Sequence, residues 1–192
     1  MKKTTIIVIA IACIVLICGG FYFALSNGEG GQEKELTEVE KLITKDLTNN
    51  YPKTPREVIK LYNRIMMSYY DEETTQEQLE DLVDQMMLLL DEEVLLVNDK
   101  DTYYASVLAE VALYAEKQRV ILEANVCDSN EVKYVEDTDK DDEIAYVTSS
   151  YFVREKGEFY KDYQEHVLRK DAEGRWKLVV SHQIEGDDSD DE

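Results

Sequence analysis

Three hydrophobic rhythms follow one another along the chain. Residues 6–25 are an uninterrupted run without a charged side chain, preceded by Lys2 and Lys3. At about 1.5 Å of rise per residue, such a run spans the roughly 30 Å of bilayer hydrocarbon and predicts a transmembrane helix. From residue 33 to about 119 the apolar positions recur at three and four residues, as on one face of a helix. From there to residue 184 they alternate, as in strands with one face buried.

The middle part predicts three to four helices. "EKELTEVEKLITKDL" sets Leu36, Val39, Leu42, Ile43 and Leu47 on one helical stripe. In "NNYPKTPREVIKLYNRIMMSYYD", Thr54 is placed to cap a helix, with Pro55 first inside it and Glu57 closing a capping box. Its buried face is expected to carry Val58, Leu61, Tyr62, Ile65 and Met66. A second box, Thr75 with Gln78, opens a helix with Leu79, Leu82, Val83, Met86 and Leu90 inward. A further helix over residues 102–119 uses Val107, Leu108, Val111 and Tyr114.

The alternating part predicts an antiparallel meander. "VILEANVCD" and "EVKYVED" read as strand, one long strand broken by a bulge near Ser129 and Asn130. "EIAYVTSSYFVREK" turns at Lys156-Gly157 into "EFYKDYQEHVLRK", and "DAEG", with Gly174 placed for a positive φ, turns into "RWKLVVSHQI". Helices followed by a meander imply an α+β domain: three to four helices on a bent antiparallel sheet of about four strands, behind an N-terminal transmembrane helix.

Charge adds an orientation. Two lysines precede the apolar run, and the flank after it (Glu29, Glu33, Lys34, Glu35) is net acidic. The positive-inside rule then keeps the N-terminus cytoplasmic and puts the rest outside. Ala24 and Ser26 form a weak small-x-small pattern, so cleavage after Ser26 is the alternative to a retained span. A lipid anchor fits poorly: Ile17 is bulky before Cys18, and the apolar run continues well past Cys13. The expected organisation is an anchor over 1–27, a tether over 28–32, an extracytoplasmic domain over 33–186 and an acidic disordered tail over 187–192.

With 42 acidic and 21 basic residues, the chain carries a net charge of −21. A field of that sign repels phosphate backbones and anionic head groups, which removes nucleic acid from the expected partners. Cys127 is the one cysteine beyond the apolar run, so no disulfide is expected inside the domain.

"NNYPKTPREVIKLYNRI" together with "YFVREKGEFYKDYQEHVLRKDAEGRWKLV" resembles a family of small bacterial proteins with an N-terminal membrane segment. The helices-then-sheet pattern over about residues 36–184 is similar to the cone-shaped nuclear transport factor two-like and cystatin-like superfamily. The resemblance implies a cone-shaped α+β fold whose concavity can hold a ligand. That superfamily hosts enzymes and non-catalytic modules alike, so it implies no single activity.

Candidate chemistry is sparse. Strand alternation puts Trp176, Leu178, Val180, His182 and Ile184 on one face, which would aim His182 into the same concavity as Trp176. Asp162 and His166 likewise share a face of the preceding strand, and a histidine near a carboxylate can do acid–base work. "DTDKDDE" departs from a calcium loop, with Asp142 at its glycine position and Thr148 at its bidentate glutamate position. No zinc, phosphate-loop or nucleophile motif occurs in the sequence. No catalytic, cofactor-binding or metal-ligating residue is therefore assigned, and no cofactor is expected. The abundant tyrosines suit core packing, or a protein or glycan contact where exposed. The expected function is a non-catalytic interaction module at the cell envelope, held by its membrane helix and facing an envelope protein or polymer. The alternative is a small-molecule binder or enzyme using the concave sheet face near His182 and Trp176.

Overall fold

Local capping chemistry starts each of the five described helices where a side chain can reach back to free N–H groups. The computed structural model describes residues 35–137 and 142–186; the apolar run, the centre of "DTDKDDE" and the acidic tail lie outside them. Helix α1 (Glu38–Ile43) opens on a Thr37–Glu40 capping box. It is shorter than the stripe implied. Asp46 accepts from the N–H groups of Thr48 and Asn49, forming a turn that ends helical continuation. Leu36 is accordingly exposed, and Leu47 reaches the core from the turn.

Helix α2 (Pro55–Tyr69) has the expected box: Glu57 N–H donates to Thr54 Oγ1 at 3.2 Å, and the Glu57 carboxylate accepts from Thr54 N–H at 3.2 Å. Helix α3 (Gln76–Met87) repeats the device with Thr75 and Gln78. Asp91 then caps a short α4 (Glu92–Val97), an element absent from the sequence reading. Nothing in α4 is buried, so it leaves no apolar stripe to read. Asp99 caps α5 (Lys100–Lys117), which ends at Gln118 in the left-handed region, φ 51°. Of its expected face, Val107 is buried whereas Leu108 is 39% exposed. Among the described residues no helix is long and apolar enough to cross a membrane, and residues 6–25 fall outside that set.

The sheet has five antiparallel strands: β1 (Arg119–Val126), β2 (Lys133–Asp137), β3 (Asp142–Glu155), β4 (Glu158–Lys170) and β5 (Trp176–Ile184). The order is β1-β3-β4-β5, with β2 also on β3. β1 pairs with β3 from Glu155 back to Ser149, and β2 pairs from Tyr146 to Asp142. They therefore lie end to end along one edge, where the sequence suggested one interrupted strand; the break falls at residues 127–132. Lys156 and Gly157 both take positive φ (52° and 93°) in the two-residue β3–β4 turn. Gly174 supplies φ 77° before β5.

Strands β1 and β5 each carry a bulge. In β1 the register shifts between Ile121 and Glu123, and in β5 opposite Val167 and Leu168, leaving Leu122 and Val179 as the extra residues. The open side of β5 is partly closed by the α3–α4 connection. Asp91 N–H donates to Leu178 O at 2.9 Å, and Leu178 N–H to Leu89 O at 2.8 Å. Asp91, 3% exposed, also makes a two-point ion pair with Arg169.

The helices cover one sheet face. Ala145, Val147 and Leu168 of the central strands join Trp176 and Leu178 in one cluster with Leu42, Val58, Ile65, Leu82 and Met86. This inner layer is the core; among the described residues no helix covers the other face, where Phe152, Phe159 and Val180 are exposed.

Candidate functional site

Along β4, residues 160, 162, 164, 166 and 168 share the inner face, paired through β3 with Val153, Tyr151, Ser149, Val147 and Ala145. At the Leu168 end this face is filled by aliphatic side chains. At the Tyr160 end it leaves a cavity of about 250 Å³ beneath α2, α3 and α5. Tyr62 and Tyr69 come from α2, Tyr103, Glu110 and Tyr114 from α5, and Tyr151, Tyr160 and Asp162 from the sheet. Tyr69 and Tyr151 are buried at its base, while Glu110 and Tyr160 are exposed at its mouth.

Below it runs a polar chain through the core. The Tyr151 hydroxyl donates to Asn63 Oδ1 at 2.7 Å, and Asn63 Nδ2 donates to Ser149 Oγ at 3.3 Å. The His166 ring is clamped between two serines, Nε2 3.0 Å from Ser149 Oγ and Nδ1 2.7 Å from Ser181 Oγ. Tyr62 packs edge-on against it, with ring centroids 5.5 Å apart. Burial, reinforced by nearby His182, pushes the His166 pKa down to about 4. It is neutral at neutral pH and saturated by hydroxyls, an arrangement that fixes three strands together.

Burial also holds the tyrosines protonated. The Tyr62 phenol is pushed up to about 12, and Tyr69, Tyr103 and Tyr151 are raised further. They are neutral dipoles and π-faces, not bases. Arg119 reaches into the cavity but is paired with Glu155 at 2.6 Å and lies over the Tyr114 ring, 5.2 Å from its centroid. Asp162 is held by neutral donors, Gln183 Nε2 at 2.6 Å and Gln164 Nε2 at 3.3 Å. The hydroxyl of Tyr69 is buried beside the Tyr103 phenol and makes no well-formed hydrogen bond among the described residues.

The expected pairing of His182 with Trp176 does not form. The β5 bulge at Val179 adds one residue, so Ser181 takes the inner face opposite His166 and His182 the outer face opposite Glu165. His182 Nε2 lies 3.5 Å from Glu165 Oε1, with the histidine side chain 49% exposed. Trp176 is buried at the filled end, with Tyr134 edge-on to it and Lys170 Nζ over its ring. Asp162 and His166 do share the inner face, as alternation predicts. Ser181, Glu110 and Arg119 were not anticipated, since their meeting depends on the bulges and on how α5 crosses the sheet. Among the described residues, no cluster of three histidine, cysteine or carboxylate side chains could hold a metal ion.

Fold and site define an α+β domain with a tyrosine-lined cavity between its helices and its sheet. Residues 1–180 match the model of the family described as a domain of unknown function, DUF6715, and the chain belongs to that family. No protein of curated function matches it.

Proposed function

We propose that this chain is a non-catalytic interaction module, held by residues 6–25 at the outer face of a membrane and built on a cone-shaped fold of the nuclear transport factor two-like kind. The proposed location rests on the Lys2-Lys3 flank and the uncharged run after it. The observation that carries the interaction reading is the open sheet face. Phe152 and Phe159 stack there with centroids 5.6 Å apart, and Phe159 is 57% exposed. Val180 is exposed on the same face. Stacked aromatics left in water suit a face that becomes covered by an envelope protein or polymer.

The test is cross-linking in intact cells, comparing the natural chain with Phe152→Ser/Phe159→Ser. Loss of the cross-linked partner, with unchanged unfolding, supports the module. A partner retained in full by the double variant overturns the assignment of this face. Protease added to intact protoplasts should degrade the domain; full protection would overturn the orientation.

A second reading, a binder of small molecules, is favoured by the cavity. It replaces the surroundings of His182 and Trp176 with the tyrosine-lined end of the sheet.

A further inference from the structure

The cavity has a chemical preference written into its walls. Three charged side chains line it: Glu110, Asp162 and Arg119. Arg119 is already paired with Glu155, a carboxylate outside the lining. Counting that partner, the local charge is −2, from three carboxylates and one guanidinium. Glu110 approaches from the helical wall and Asp162 from the sheet, and Asp162 is bonded by amide donors that leave its charge in place. Tyr62, Tyr69, Tyr103, Tyr151 and Tyr160 line the same space, and aromatic faces attract cations; Tyr114 is already covered by Tyr70 and Arg119.

The buried Tyr69 hydroxyl supplies an independent pointer. Its residue is 4% exposed and lines the cavity, and among the described residues its oxygen makes no well-formed hydrogen bond, although the Tyr103 phenol lies beside it. A buried polar group left unsatisfied costs about 1–3 kcal/mol, which a ligand able to hydrogen-bond removes. The volume of about 250 Å³ exceeds the roughly 150 Å³ that suffices for a benzene-sized guest.

We propose that this cavity binds a small organic ammonium ion, caged by tyrosine rings and countered by Glu110 and Asp162. The proposal rests on the second reading above, that the cavity is a ligand site. A neutral guest would forgo the attraction of both carboxylates, and an anion would meet a net negative wall.

The test is titration calorimetry of the full chain in neutral detergent, with choline as the cationic probe and 3,3-dimethylbutanol as its uncharged isostere. Choline is expected to bind with a Kd of about 1 mM or tighter, and the isostere at least about tenfold more weakly. Glu110→Gln/Asp162→Asn should weaken choline by about tenfold or more while leaving the isostere unchanged. Phe152→Ser/Phe159→Ser should leave both unchanged. Equal affinity for the two probes overturns the ammonium assignment, and that comparison needs no variant. Absence of choline binding overturns it as well. Recovery of a neutral metabolite from the purified chain by mass spectrometry, alongside either result, would keep the cavity as a ligand site and reject only the ammonium class.

Discussion

At the Trp176 end of the helix–sheet interface, Ala145, Leu168, Leu178 and Trp176 meet the helices as a closed apolar layer. At the Tyr160 end, the same strands meet the same helices across a cavity lined by phenols and two carboxylates. The backbone frame is common to both; the difference lies in the side chains. Leucine and valine have no polar tip and can interdigitate to crystal-like density. A tyrosine brings a large ring with a hydroxyl that must find a partner, so rings converging from two walls stop short of full closure. The filled end is close-packed, and the hollow end gives up some of those contacts to unfilled volume.

That contrast is broken or sharpened by substitutions at each end. Trp176→Ala, at the filled end, should cost about 3–5 kcal/mol in urea titrations. A loss below about 1 kcal/mol would show that this end is not the stabilising one.

His166 sits where the two ends meet, and its effect is read through pH. Burial lowers its pKa from 6.5 to about 4 in the folded state. Below about pH 6.5 the unfolded chain therefore takes up a proton that the folded chain refuses. Its contribution is complete above that pH and is lost progressively as the pH falls toward 4, up to about 3 kcal/mol. Comparing His166→Gln with the natural chain over this window should show a flatter stability profile for the variant. Parallel profiles would mean that the imidazole is not held neutral.

Tyr69→Phe, at the hollow end, should leave stability unchanged or raise it by about 1 kcal/mol, because the buried hydroxyl it removes makes no well-formed hydrogen bond among the described residues. Destabilisation beyond about 1 kcal/mol would place an unseen partner on that oxygen and erase the contrast at this position.

The parts of the fold legible in the sequence are those set by near neighbours. Thr54 with Glu57 and Thr75 with Gln78 define helix starts through contacts three residues apart, and both boxes form as read. Lys156-Gly157 and Gly174 mark turns for the same reason. Where a tertiary contact decides, the pattern misleads. Asp46 cuts the first stripe short, and α4 owes its place to Asp91, whose carboxylate is fixed by Arg169 from β4. In the site, Asp162 and His166 share a face because β4 keeps an unbroken two-residue period through them. His182 was assigned to the wrong face because β5 does not, and alternation carries no mark of one residue spent in a bulge.

The bulge at Val179 also sets how the gene can change length. Removing Val179 leaves Leu178 and Ser181 two positions apart on one face, so the strand simply loses its irregularity. Deleting Lys177 instead would put Trp176 next to Leu178, so the two could no longer share the inner face. Leu122 occupies the equivalent position in β1. Strands β1 and β5 thus each hold one codon that can be dropped in frame without turning the barrier between core and water inside out.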